Sequence, residues 1–387
     1  MFVATATAPV NIATLKYWGK RDKALNLPTN PSISVTLSQD DLRTVTTSCA
    51  SESIEKDQLW LNGSLEDPSQ SARLASVLKE LRRLRAEVEA ADDSLPKIAD
   101  LKLRIVSENN FPTAAGLASS AAGYAALVAS VSRLYQLPQS AEELSKVARQ
   151  GSGSACRSLM GGYVAWEAGE KADGSDSKAL QIAPESHWPD MRAAILVVSA
   201  DKKDVASTAG MQATVATSEL FAHRVKETVP VHYTKMAQAI KDRDFESFAD
   251  LTMRESNQFH AVCLDTCPPI FYLNDTSRAA IRAVNEINKA AGKTIAAYTF
   301  DAGPNAVIYY QQADEQKVLG PLKMALGHLH GWDNRPDVYS ESEGVDERPF
   351  SVLSQGVSRV ILTKVGEGPK TLDTHLVNDQ GQPILRS

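Results

Sequence analysis

The sequence is poor in the residues that staple or metallate a fold. Four cysteines (Cys49, Cys156, Cys263, Cys267) in 387 residues are too few for a disulfide scaffold of this size, and a reduced, cytoplasmic setting is the expectation. Cys263 and Cys267 have no partners at zinc-like spacing. The seven histidines are scattered, with His328 and His330 as a lone pair, so no metal-ligand pattern emerges. Positive charge is not in excess: 41 Lys and Arg face 47 Asp and Glu, a net charge of −6. That argues against nucleic acid as a partner, although a few local cations can still form a pocket for a small anion. The opening MFVATATAPVNIATLKYWGKR has a short apolar stretch with no early basic region and runs straight into charge. Neither a secretory signal nor a membrane span is expected. The closing ILRS matches no lipidation or retention signal, and no internal repeat is visible.

What is present is an ordinary globular composition, with 43% hydrophobic and 23% charged residues. Residues 2–11 and 33–47, rich in Val, Thr and Ile, read as strands. The polar, turn-forming YWGKRDKALNLPTNPS between them reads as a loop of functional length. Residues 71–91 place Leu74, Val77, Leu78, Leu81, Leu84 and Val88 on one helical stripe opposite a charged face. Further strands are expected at 101–107, 162–167, 193–199 and 357–365, and helices at 119–135, 205–226, 233–262 and 275–291. Residues 294–300 and 306–310 read as a hairpin around DAGPN. KADGSDSK and SESEGVDERP read as surface loops. Strands dominate early and helices later, which favours α+β over a doubly wound sheet.

Four segments carry chemistry. PTAAGLASSA, residues 112–121, lies where a strand ends and a helix begins. Gly116 permits a tight turn and close ligand approach, the helix N-terminus offers free N–H groups, and Ser119 and Ser120 add hydroxyls. Two readings fit: a phosphate cradle, or a capped, alanine-rich helix packed closely on a sheet. The lysine of a Walker loop is missing. In RQGSGSACRS, residues 149–158, Gly151 and Gly153 alternate with Ser152 and Ser154, so several donors converge on an anion beside the guanidinium of Arg157. Alone, the segment would read as a turn with a surface arginine. NIATLKYWGKR supplies Lys16, Lys20 and Arg21 with apolar Tyr17 and Trp18, or else a strand end with solvated lysines. TFDAGPNA ends an apolar strand at Asp301, a carboxylate either partly buried or bonded within its own turn.

Together these segments resemble the GHMP kinase superfamily, and APVNIATLKYWGKRD, NNFPTAAGLASSAAG, GSGSACRSLMGGYVAW and YTFDAGPNA resemble its mevalonate diphosphate decarboxylase family, in the eukaryotic and especially fungal form. The resemblance runs in order over nearly the whole chain. It implies a two-lobed α+β fold with largely antiparallel sheets around a deep cleft. Residues 1–190 would form the first lobe and 191–387 the second, with late strands returning to the first. It implies ATP as co-substrate, Mg²⁺, and mevalonate 5-diphosphate as the substrate that yields isopentenyl diphosphate, ADP, phosphate and carbon dioxide. The setting implied is the mevalonate pathway of isoprenoid and sterol synthesis, and the assembly a cytoplasmic homodimer.

By the same resemblance Asp301, Lys16, Arg157 and Ser120 are catalytic. Asn11, Tyr17, Lys20, Ser152, Gly153, Ser154, Arg157 and Ser207 would hold the substrate, with Asn11 orienting the arginine. Pro112, Ala114, Ala115, Gly116, Leu117, Ala118, Ser119 and Ser120 would line the ATP phosphates, with Ser120 a candidate contact to Mg²⁺ carried on those phosphates. Thr208 departs from the pattern, since bacterial members often carry arginine there. Two rivals share the motifs. A small-molecule kinase would stop at phosphorylation, and a ligand sensor would keep the fold but not the chemistry. The GSGSACRS and TFDAGPN segments favour decarboxylation over the first, and the joint presence of Asp301, Lys16, Arg157 and Ser120 argues against the second.

Overall fold

The computed structural model describes residues 1–111, 119–198 and 204–384. A six-stranded sheet runs in the order Lys370–Leu372, Phe2–Pro9, Arg43–Ala50, Leu103–Asn109, Gln58–Leu61 and Ser64–Glu66. It is antiparallel except where Gln58–Leu61 pairs with Leu103–Asn109. Helix Ala72–Ala91 buries the stripe Leu74, Val77, Leu78, Leu81 and Leu84, in one core with Ile105, Val128 and Val131. Helix Ser119–Leu134 approaches the sheet closely because Ala121, Ala122, Ala125 and Ala126 present only methyl groups, all fully buried. The hydroxyls of Ser48 and Ser130 meet across this contact at 2.7 Å.

Two four-stranded antiparallel sheets complete the frame, and the segment expected as a loop over 17–32 holds a small hairpin, Lys20–Asp22 with Leu27–Pro28. One is ordered Ala179–Ala183, Tyr163–Trp166, Ser32–Thr36, Asn11–Leu15. The other is ordered Ala296–Phe300, Ala306–Gln311, Met191–Val197, Arg359–Lys364. The period-2 alternation of a strand is visible on Ala306–Gln311. Val307 and Tyr309 face a core shared with the other sheet and helices Val229–Asp242 and Phe245–Leu264. Ala306, Ile308 and Tyr310 face a second core under helices Asp275–Ala291, Glu315–Leu326 and Arg348–Gly356. The Tyr309 hydroxyl donates to the Ile12 carbonyl at 3.2 Å and ties the two sheets together.

Several element boundaries depart from the sequence reading. The strand expected over 33–47 is two strands in different sheets, Ser32–Thr36 and Arg43–Ala50. The break falls at Ser38, whose hydroxyl accepts from the Asp40 N–H at 3.2 Å. The helix expected over 233–262 is two helices. Arg243 adopts a left-handed φ of 56° and Asp244 caps the second by accepting from the Ser247 N–H, within a run of four charged residues, 241–244. The helix expected over 205–226 is Ser207–Thr217 followed by Glu219–His223, parted at Ser218. A π-turn over Arg224–Thr228 then leads into Val229–Asp242. Helices Ala141–Gly151, Glu315–Leu326 and Arg348–Gly356 were not foreseen. The hairpin Ala296–Phe300 with Ala306–Gln311 forms as expected. Among the described residues, no helix is long and apolar enough to cross a membrane.

Candidate active site

The four motif segments, joined by Arg73, Ser207, Thr208, Met211 and Phe259 from other elements, converge on one cavity of about 210 Å³. Strand Asn11–Leu15 ends at Lys16 and strand Ala296–Phe300 ends at Asp301, so two sheets deliver one charge each. Lys16 Nζ lies 2.6 Å from Asp301 Oδ1. The two partners are unequally placed: the lysine side chain is 3% exposed and the aspartate 40%. Burial holds the Lys16 ammonium below its ordinary pKa against the pull of Asp301. Asp301 therefore faces the cavity with one oxygen tethered by a buried cation.

Opposite lies RQGSGSACRS, which is not a flexible turn. Helix Ala141–Gly151 ends there, Ser152 is extended, and Gly153–Leu159 continues as a 3₁₀ helix that points Arg157 inward. A Cβ at Gly153 would lie 2.7 Å from the Tyr17 hydroxyl and 3.0 Å from the Trp166 ring, so the close approach requires glycine. Arg157 is buried. Its Nε donates to Ser34 Oγ at 3.0 Å and to Asn11 Oδ1 at 3.3 Å, and one terminal nitrogen donates to Ser32 Oγ at 2.5 Å. Asn11 is fixed in turn, its amide donating to the Ser154 carbonyl and Ser158 Oγ. Every side chain that fixes Arg157 is neutral, and among the described residues it forms no ion pair; burial pushes its pKa down. A buried cation held by neutral oxygens is a ready partner for a ligand anion.

All the substrate-holding and catalytic residues expected from the sequence line this cavity: Asn11, Lys16, Tyr17, Lys20, Ser120, Ser152, Gly153, Ser154, Arg157, Ser207 and Asp301. The hydroxyls of Ser120 and Ser152 are 3.3 Å apart, and those of Ser152 and Ser154 3.5 Å. Burial raises the Tyr17 phenol to about 12, and burial together with Arg73 lowers Lys20 to about 8. Of the residues assigned to the ATP phosphates, Pro112, Ala114, Ala115, Gly116, Leu117 and Ala118 lie outside the described residues. Ser119 and Ser120 open helix Ser119–Leu134. Both also line a second cavity of about 440 Å³, where Leu59, Leu61, Leu74, Tyr124 and Leu127 are joined by the polar Asn62, Gln70, Ser71, Ser107 and Asn109 and the acidic Glu66 and Asp67. Ser120 belongs to both cavities.

Arg73 was missed by sequence reasoning. It stands in the first turn of the amphipathic helix Ala72–Ala91, where a charged residue reads as solvated, yet it lines the cavity and donates to Thr208 Oγ at 2.9 Å. An arginine from a different element thus occupies the neighbourhood of Thr208, the position that departed from the expected pattern. Ser32 and Ser34, which hold Arg157, also carried no local signal. They are small hydroxyl residues in a strand that reads as core.

The comparisons with known proteins cover both halves of the chain. Residues 8–179 match the model of the diphosphomevalonate decarboxylase-like N-terminal domain, and residues 193–372 that of the mevalonate 5-diphosphate decarboxylase C-terminal domain. A diphosphomevalonate decarboxylase of Debaryomyces hansenii is 60% identical over 99% of this chain and 98% of its own. An X-ray structure of a mevalonate 5-diphosphate decarboxylase aligns with a TM-score of 0.91 at 53% identity, covering 99% of this chain and 100% of that one. A structure of MDDEF in complex with MVAPP, AMPPCP and magnesium aligns with a TM-score of 0.74 at 28% identity, over 96% of this chain and 99% of that one.

Proposed function

This chain belongs to the diphosphomevalonate decarboxylase family, and we propose that it uses ATP to phosphorylate the tertiary hydroxyl of mevalonate 5-diphosphate and then releases carbon dioxide and phosphate to form isopentenyl diphosphate, within isoprenoid and sterol synthesis. The observation that carries the reading is the placement of a half-exposed carboxylate, Asp301, against a buried lysine in the cavity that also holds the buried Arg157, fixed by neutral oxygens, and the serine hydroxyls. Hydroxide is a poor leaving group and phosphate a good one, so the hydroxyl must be esterified before it departs.

Each group has a role that its surroundings suit. Asp301 accepts the hydroxyl proton as the oxygen attacks the γ-phosphorus of ATP and ADP leaves. Lys16 keeps the carboxylate oriented. Asp301 then gives up that proton to solvent, and when the C–O bond breaks the departing phosphate takes the electron pair and positive charge develops at the tertiary carbon, which the Asp301 carboxylate, ionised again, stabilises. The electrons of the C–C bond to the substrate carboxylate then form the double bond as carbon dioxide leaves. Arg157, oriented by Asn11, holds the substrate carboxylate through paired hydrogen bonds. Tyr17, Lys20, Arg73, Ser152, Gly153, Ser154 and Ser207 surround the diphosphate.

The apolar cavity beside Ser119 and Ser120 suits a nucleotide base and ribose, with its phosphates directed toward Ser120, the residue common to both cavities. Among the described residues no group of three or more His, Cys, Asp or Glu could cage a metal ion. That fits Mg²⁺ carried on ATP phosphates with few protein ligands, the Ser120 hydroxyl being the candidate. Bound there, the ion would neutralise phosphate charge. The same reading includes a cytoplasmic homodimer, and two lobes meeting near residue 190, a division supported by the family models' boundaries at 179 and 193.

The deciding experiment incubates the purified protein with mevalonate 5-diphosphate, ATP and Mg²⁺ and follows ADP, phosphate and carbon dioxide in a rapid-quench single turnover. Stoichiometric release, with ADP formed no later than carbon dioxide, is expected. A phosphorylated product without carbon dioxide would mark a kinase instead, and carbon dioxide without ATP cleavage would overturn the proposed order.

A further inference from the structure

The 2.6 Å contact between Lys16 and Asp301 joins the ends of strands from two different sheets. Beyond the tie between the two sheets at Tyr309 and Ile12, something must index the strand ends themselves. Two consecutive residues of helix Phe245–Leu264 do so. Glu255 Oε2 accepts from the backbone N–H of Lys16 at 3.1 Å, and Ser256 Oγ accepts from the backbone N–H of Phe300, the residue before Asp301, at 3.1 Å. Both side chains are buried, Glu255 completely.

The Lys16 end is braced more heavily. Arg224 forms a two-pronged pair with Glu255, at 3.0 Å and 2.5 Å, and its second prong also donates to the Lys16 carbonyl at 3.1 Å. Asn30 donates to the same carbonyl at 3.0 Å, and His232 Nδ1 lies 2.6 Å from Glu255 Oε1. Both backbone groups of Lys16 are therefore held by side chains, which leaves its own side chain to the cavity. Arg224 opens the π-turn Arg224–Thr228, an irregularity that places the guanidinium against the helix rather than one step around it.

We infer that Glu255 and Ser256 are positioning residues, a two-point clamp by which one helix sets the Lys16–Asp301 geometry. The inference rests on the catalytic reading of that pair. Neither side chain lines the cavity, so both act through the residues they hold. Errors of an ångström at reacting groups can lower rates by roughly 10²-fold, while the loss of one neutral hydrogen bond leaves the fold standing.

Ser256→Ala is the informative variant, because Glu255 substitutions leave Arg224 buried without its partner and threaten folding. Ser256→Ala should lower kcat about 10- to 100-fold with little change in KM for either substrate. In the Asp301→Asn background it should add no further loss, since effects through one group are non-additive. A crystal structure of Ser256→Ala should show Lys16 and Asp301 parted beyond 4 Å, an outcome independent of the reaction. Wild-type kcat in Ser256→Ala, an undiminished effect in the Asp301→Asn background, or an unchanged Lys16–Asp301 contact would each overturn the clamp. Failure of the wild-type protein to release carbon dioxide would instead overturn the functional reading, and the crystallographic test would still decide the clamp.

Discussion

Arg85 and Arg157 are almost equally buried, at 1% and 2% exposure, but they are neutralised in opposite ways. Arg85, on helix Ala72–Ala91, pairs with Glu89 at 2.8 Å and donates to the carbonyls of Tyr135 and Pro96, both at 2.8 Å. Glu89 in turn accepts from the Ile98 and Ala99 N–H groups at 2.7 Å and 3.0 Å. Charge and hydrogen-bonding capacity are both satisfied within the protein. Arg157 is fixed by neutral oxygens and faces a cavity. The first arrangement closes a core, whereas the second keeps a desolvated cation available to a ligand and accepts the cost of burial in the free protein.

If this contrast is right, changes in the cleft should act on rate and changes in the core on stability. The largest effect is expected at Asp301. Asp301→Asn should lower kcat by about 10²–10⁴-fold; its amide oxygen can still accept from the buried Lys16 ammonium, so the urea unfolding midpoint should fall less than in Arg85→Met. Near-normal turnover would remove Asp301 from the mechanism. Arg85→Met should do the reverse. Leaving Glu89 buried without its cation should cost about 3–5 kcal/mol of stability, with kcat per folded molecule unchanged. A parallel fall in kcat would erase the distinction between the two regions.

Glu255 tests the contrast by pH. Burial alone would raise its pKa, but Arg224, His232 and the Lys16 N–H together hold it at about 2, below the ordinary 4.5. A depressed carboxylate contributes stability that is fully present above 4.5 and lost as pH falls toward 2, about 3 kcal/mol here. Urea midpoints measured between pH 5 and pH 2 should fall more steeply for the wild type than for Glu255→Gln. Equal slopes would show that folding does not depress the Glu255 pKa.

Arg157→Lys keeps the charge and loses the planar fork, and should lower kcat/KM by about 10²-fold without loss of stability. Wild-type kinetics would mean that charge alone suffices. Gly153→Ala should have the smallest effect. The added methyl presses on Tyr17 and Trp166 and should raise KM for the diphosphate substrate about tenfold. An unaltered KM would show that the wall yields freely.

Much of the cleft could be read from the chain because its residues are contiguous. GSGSACRS and YWGK place donors two to four residues apart, and the backbone alone keeps such groups together. The helical stripe of 71–91 and the hairpin around DAGPN were legible for the same reason: periodicity and turn chemistry are local. Breaks were harder. The four charged residues at 241–244 interrupt the apolar pattern, and the left-handed φ of Arg243 with the cap at Asp244 divides the helices there.

What the sequence by itself determined is which groups are available: a carboxylate after an apolar strand, two glycine–serine turns, and cations near the N-terminus. The tertiary structure alone decided which of them meet. Arg73 and Thr208 are 135 residues apart, Lys16 and Asp301 285 residues apart, and Lys16 and Glu255 239 residues apart. No local propensity reports such pairs. The two Lys16 contacts form because burying two sheets against the same helix fixes strand ends within hydrogen-bond reach, and a charge at that depth is stable only beside a partner or beside a ligand still to come; the exposed Arg73 reaches Thr208 from one helix to another.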